Sequence, residues 1–305
     1  MAEPTTTARR TPRIDAAALQ RHLRRTTSHA APWLHEEIAR RMADRLSLVR
    51  RQPARVIDWW SPTSGSTALL KAHYPQARLL PYGCDDLPMP EAFAGAETGP
   101  RWWQRLIGQQ ARAESSWSPP TAELLWANMM LHWVDDLPAL LPRWHAALEV
   151  DGFLMFSCFG PDTLKELHAV YAELGWGPPG SPWVDMHDLG DELVHAGFAD
   201  PVMDMERLTL TWDSPAALLA ELRGLGCNTA PARQPGLRGH DWRRKLDMAL
   251  TQHLTGADGR LHLGFEIIYG HAFRPVTRAR MGAQTEISLD AMREMTRQRN
   301  PGRAD

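Results

Sequence analysis

The chain has 305 residues, 43% of them hydrophobic and 23% charged, with 34 basic and 36 acidic side chains and a formal net charge of −2. That balance fits a globular protein, and it argues against a nucleic-acid partner, which calls for a clustered cationic face. Cys84, Cys158 and Cys227 lie far apart with no CxxC pair, so neither disulfides nor a metal site is expected, and reduced, cytoplasmic thiols are.

The first 29 residues are Arg- and Thr-rich and predict a flexible tail leading into a first helix. From Ala31 to Val49, the apolar residues Leu34, Ile38, Met42, Leu46 and Val49 recur at helical spacing. A short strand follows at 54–58, then a Pro/Ser/Gly segment from Ser61 to Ser66, a helix at 67–73 and a second strand at 77–81. Residues 83–120 carry many Pro and Gly with Trp102, Trp103 and Trp117, and read as irregular around a short helix at 102–113. Periodicity returns with a buried strand at 122–128. Asp135 and Asp136 then cap a helix to Leu148, because a carboxylate there accepts the orphan amides of the first turn. Asp151-Gly152 reads as a turn before an apolar strand at 153–159, followed by helices at 163–174 and 186–196. The segment 202–212 alternates as a half-exposed strand does; helices at 214–225 and 240–254 precede a last strand at 263–273. The tail from Arg274 is polar. Strands alternating with helices predict a mostly parallel sheet with right-handed crossovers and an antiparallel edge. No apolar run approaches the ~18 residues that span a bilayer, so no membrane association is expected.

Several blocks carry a family likeness. Leu125-Trp126-Ala127-Asn128-Met129-Met130-Leu131-His132-Trp133, Phe159-Gly160-Pro161-Asp162-Thr163-Leu164-Lys165-Glu166-Leu167, Asp185-Met186-His187-Asp188-Leu189, Ala196-Gly197-Phe198 and Tyr269-Gly270-His271-Ala272-Phe273 follow one another in order. Together they resemble the class I S-adenosylmethionine (SAM) methyltransferases, and more narrowly the malonyl-acyl carrier protein O-methyltransferases of biotin synthesis. The resemblance covers about 30–275, so the domain is expected there, with tails at 1–29 and 276–305. It implies a Rossmann-like α/β fold with a seven-stranded, mostly parallel sheet and helices on both faces. It also implies SAM as cofactor in a pocket at the carboxyl ends of the first strands. The methyl acceptor it implies is the free carboxylate of a malonyl thioester on acyl carrier protein. Such an acceptor is already a nucleophile at neutral pH, so positioning supplies most of the catalysis. A monomer or weak oligomer is expected, without metal.

The chain departs from the family pattern at the first loop. Where D-x-G-x-G-x-G is expected stands Asp58-Trp59-Trp60-Ser61-Pro62-Thr63-Ser64-Gly65-Ser66, with Trp60 and Pro62 at positions where the backbone would approach the cofactor. The acidic residue expected after the second strand falls near Tyr82, with Asp85 and Asp86 about one turn late. That expected after the third has no counterpart among 112–118, and the aromatic residue of an A-x-x-Y-D segment falls on Ser28. The candidate cofactor contacts are therefore Asp58, Ser61, Ser64, Gly65, Tyr82 and Asn128, and the residues expected near the transferred methyl are Asn128 and His132. Lys165 and Arg143 are candidates for the acidic carrier surface. The altered loop also admits a second reading, a non-catalytic methyltransferase-fold protein acting as a binding or regulatory subunit.

Overall fold

A computed structural model describes residues 14–26, 31–47, 49–82, 121–236 and 238–276. The chain divides into Met1–Pro275 and Val276–Asp305, and every element below belongs to the first unit. The expected helix at 102–113, Asp85, Asp86, Ser28, the segment 112–118 and the polar tail beyond Val276 lie outside the described residues.

Helix α1 (Ala16–Thr26) and helix α2 (Trp33–Leu46) lead into strand β1 (Arg55–Trp59) and a single helical turn, α3 (Ser61–Ser64). Helix α4 (Thr67–His73), strand β2 (Arg78–Tyr82) and strand β3 (Ala122–Ala127) come next, and a 3-10 turn (Leu131–Trp133) leads to helix α5 (Leu137–Ala147). Then come β4 (Leu148–Phe159), α6 (Lys165–Glu173), α7 (Met186–His195), β5 (Ala199–Trp212), α8 (Pro215–Leu225), α9 (His240–Leu254) and β6 (Leu261–Phe273). The six strands of the described residues form one sheet in the order β2-β1-β3-β4-β6-β5. Strands β1 to β4 pair in parallel, and β6 pairs antiparallel with both β4 and β5. This is a Rossmann-like arrangement, of the kind the sequence resemblance implies. The predicted antiparallel strand is β6, which lies one strand in from the edge.

Both sheet faces are covered, so strand residues alternate between two cores and every strand but the edge ones reads as apolar. Val56, Leu124, Trp126, Phe153, Phe265 and Tyr269 pack with α2, α4, α6, α8 and α9. Ile57, Leu125, Leu154, Phe156 and Ile268 face the other way, against α1, α5 and α7. The caps are those the residue types suggest: Asp136 accepts from the Ala139 amide (2.9 Å), Asp185 from the His187 amide (2.8 Å) and Ser214 from the Ala217 amide (3.2 Å).

Three local expectations change. Residues 14–26, expected within a flexible tail, include a packed helix. Leu19 is buried, the Asp15 amide donates to the Thr229 carbonyl at 2.7 Å, and Asp15 pairs with Arg233. Asp151-Gly152, expected as a turn, lies within β4, where Asp151 takes a left-handed φ of 63°. The Ser61–Ser66 segment, expected as a loop, closes the helical turn α3 between two left-handed residues, Trp60 (φ 63°) and Gly65 (φ 67°). Among the described residues no helix is long and apolar enough to cross a membrane, and no group of three His, Cys, Asp or Glu side chains is placed to hold a metal.

Candidate active site

The chain leaves β1 towards β2 on one side, then returns to place β3 on the other, so the carboxyl ends of β1 and β3 bound a crevice at a topological switch point. Doubly wound folds bind their ligands at such a crevice. Asp58 stands at the end of β1 with 1% of its surface exposed. It accepts from the Ser64 hydroxyl at 3.1 Å and the Thr67 hydroxyl at 3.0 Å. Burial pushes its carboxyl up to about 6, and the hydroxyls of Thr67, Ser64 and Ser61 act against that rise. Ser64 carries the link onward: its carbonyl accepts from Asn128 Nδ2 at 2.6 Å. Asn128, at the end of β3 and fully buried, gives its other amide proton to the His35 carbonyl at 2.8 Å, and its Oδ1 accepts from Ser157 on β4 at 2.6 Å.

The candidates Asp58, Ser61, Ser64 and Asn128 are thus brought together, but they are bound chiefly to one another. Both amide protons of Asn128 are committed, so it ties α3, α2 and β4 to β3, where the sequence suggested a group at the pocket mouth. At Gly65, which closes the α3 turn, a Cβ would meet Glu36 Cγ on α2 at 2.8 Å. Tyr82 ends β2 with its ring stacked on Trp59 at 4.5 Å, and its carbonyl accepts from the Trp60 amide at 2.7 Å.

His132 lies in the 3-10 turn after β3, among the rings of Trp133 (4.7 Å), Phe159 (4.8 Å) and His35 (6.3 Å). Both of its ring nitrogens are shielded from solvent without a hydrogen-bond partner. Burial drives its pKa well below 6.5, with smaller contributions from His35 and His22, so the ring is neutral at pH 7. His35 is fully buried on α2. Its Nδ1 donates to the Thr63 carbonyl at 2.9 Å, because a carbonyl only accepts, which leaves Nε2 unprotonated and without a partner. Its pKa is lowered to about 4, again by burial.

His132 also forms part of the wall of a cavity of about 1060 Å3. Phe159, Trp183 and Trp242 give that cavity apolar walls, and the exposed Arg223 and Arg238 stand on its rim. The gradient from exposed guanidinium groups to a shielded neutral imidazole suits an elongated ligand with an anionic outer part. Sequence reasoning missed His35 and the arginines. The signal for His35 was its place on the buried face of α2 next to Leu34; the arginines offered none, because surface Arg is common in this chain. Lys165 lies beside Asp162 (3.6 Å) and Arg143 lies over the Trp59 ring (5.9 Å), so the structure gathers neither at this rim.

The crevice between β1 and β3 does not fit a SAM molecule as its side chains stand. Trp60 occupies the first expected glycine position in a left-handed conformation, and the residue is 7% exposed. That ring meets the Trp133 ring from the far side of the crevice at 5.4 Å. The carboxylate oxygens of Asp58 and the carbonyl of Ser64 already have donors.

No family model matches the chain. Three malonyl-acyl carrier protein O-methyltransferases align with it over nearly their whole length. That of Laribacter hongkongensis is 37% identical over 83% of this chain and 87% of its own. That of Gallionella capsiferriformans is 35% identical over 87% and 93%, and that of Nitrosospira multiformis 33% identical over 85% and 90%. Among solved structures, the YcgJ protein of Bacillus subtilis superposes over 77% of this chain and 98% of its own, at 12% identity and a TM-score of 0.48. By the identity and extent of those relatives, the chain belongs to the malonyl-acyl carrier protein O-methyltransferase family.

Proposed function

We propose that the chain is a SAM-dependent O-methyltransferase that esterifies the free carboxylate of a malonyl thioester carried by acyl carrier protein, a step of biotin synthesis. The observation that carries this reading is the cavity at the carboxyl ends of β3 and β4, in a chain 37% identical to an enzyme of that name. Its apolar walls suit a thioester arm, and its arginine rim suits the acidic surface of a carrier protein. His132, neutral, adds its ring to the cavity wall without adding a charge to the pocket. A malonyl carboxylate needs no general base, since it is ionised well below pH 7. Asp58, Ser61, Ser64, Gly65, Tyr82 and Asn128 frame the donor side. The same reading makes the protein a cytoplasmic monomer or weak oligomer.

The test is to incubate the purified protein with malonyl-acyl carrier protein and SAM and follow the carrier by intact mass spectrometry. Appearance of the methyl ester, with acetyl-acyl carrier protein unchanged because it lacks the free carboxylate, is the expected result. No ester on the malonyl carrier, under conditions where a relative converts it, sinks the reading.

A further inference from the structure

We propose that Trp60 and Trp133 are the chain's own occupants of the donor crevice, and that SAM enters only as the Trp60 indole swings out. This rests on the methyl-transfer reading above.

The two indoles come from the two strands whose ends define the switch point. Trp60 follows β1 directly, and Trp133 closes the 3-10 turn after β3; their rings meet edge to face at 5.4 Å, both more than nine-tenths buried. Each strand end also carries a non-glycine residue in left-handed conformation, Trp60 at φ 63° and Met129 at φ 50°. L-residues avoid that region, and strained backbone of this kind gathers at ligand sites and switches. Trp60 therefore holds a turn shaped for glycine while filling with its ring the space a glycine would leave open.

The loop's polar scaffold does not depend on that ring. The Trp60 amide donates to the Tyr82 carbonyl, and its carbonyl accepts from the Thr63 amide at 3.1 Å. Asp58, Ser64 and Asn128 hold the next turn through hydroxyl and amide groups. Rotation of the Trp60 side chain breaks none of these bonds and gives up apolar contact, including that with the Trp133 ring. Trp133 is the less mobile partner, being also in contact with the rings of His22 (5.8 Å) and His132 (4.7 Å). Trp60 is thus the side that opens.

The ligand for the test is S-adenosylhomocysteine, titrated by calorimetry into the wild type and Trp60→Gly. A site closed most of the time shows an apparent affinity reduced by its open fraction, so the glycine variant is expected to bind at least about tenfold more tightly. Glycine suits the left-handed turn, which favours a folded variant. Equal or weaker binding by Trp60→Gly overturns the proposal. Should that variant not fold, 19F NMR of the 5-fluorotryptophan-labelled wild type gives the answer. The Trp60 signal, assigned by its loss in Trp60→Phe, is expected to shift when S-adenosylhomocysteine saturates the protein. Bound ligand with an unmoved Trp60 signal overturns the proposal and leaves the methyl-transfer reading standing. No binding to either the wild type or Trp60→Gly at millimolar ligand overturns both.

Discussion

Two buried titratable groups, 58 and 35, set opposite pH slopes on the stability of the site. His35 is held near 4 against an ordinary 6.5, so the unfolded chain takes up its proton first as the pH falls. Its contribution to stability is complete above about pH 6.5 and is lost on going down to about 4, a change on the order of 3 kcal/mol. Asp58, raised from 3.8 to about 6, works the other way: its contribution is present at low pH and lost as the pH rises through that window. His35→Gln keeps an N–H for the Thr63 carbonyl and removes the titration. Its urea midpoint is expected to fall less between pH 7 and pH 4.5 than that of the wild type, and an unaltered fall would refute the assignment. Asp58→Asn is expected to show the reverse, a steeper loss of stability on acidification, again read from urea midpoints. At this scale the sequence was only partly legible. Residue type and strand position picked out Asp58, Ser64 and Asn128, but not that their hydrogen bonds are spent on each other. That depends on α2, whose carbonyl at His35 takes an Asn128 proton from 93 residues away in the chain.

Among elements, β6 is where packing is least forgiving. It threads between β4 and β5, and a Cβ on Gly270 would fall inside the Phe156 ring of the neighbouring strand. Gly270→Ala is therefore expected to destabilise the fold by about 1–3 kcal/mol through overpacking. Gly264→Ala, in the same strand, would meet only the Glu166 carboxylate oxygen at 3.1 Å, the far end of a flexible side chain. Its thermal midpoint is expected to stay near the wild type's, and equal losses for the two variants would contradict the packing described. The order of elements was readable because apolar period and cap residues agree locally: α9 spans His240–Leu254 as its pattern suggested, and α5 begins at the Asp136 cap. Helix α1 was not readable as a packed element. It is short and Arg-rich, and what fixes it is distant: Asp15 against Thr229 and Arg233, and Leu19 in the core with Ile57 and Trp133. The position of β6 inside the sheet escaped for a related reason. Alternation reports that a strand is half exposed, not which strands lie beside it.

At the level of the whole molecule, the proposed donor crevice and acceptor cavity meet at one short segment. In the turn Leu131–Trp133, Trp133 meets the Trp60 ring and both His132 and Trp133 line the cavity, so Trp133 borders both spaces. The cavity then opens outward to Arg223 and Arg238, a local basic rim on a chain whose formal net charge is −2. A carrier protein with an acidic face would be steered to that rim by its positive charge, and such steering is screened within about 8 Å at physiological salt. Charge reversal of both arginines, Arg223→Glu with Arg238→Glu, is accordingly expected to raise KM for malonyl-acyl carrier protein at least about tenfold at low salt. The difference from the wild type should shrink as sodium chloride is raised, because only the electrostatic part of association is being removed. Arg238 also lies over the Trp242 ring at 4.4 Å, so the single variant Arg223→Glu separates charge from packing: it should show the same salt-dependent trend without disturbing that ring. A KM that does not move, or one that moves equally at every salt concentration, would place the carrier elsewhere on the surface and leave the cavity without its proposed entrance.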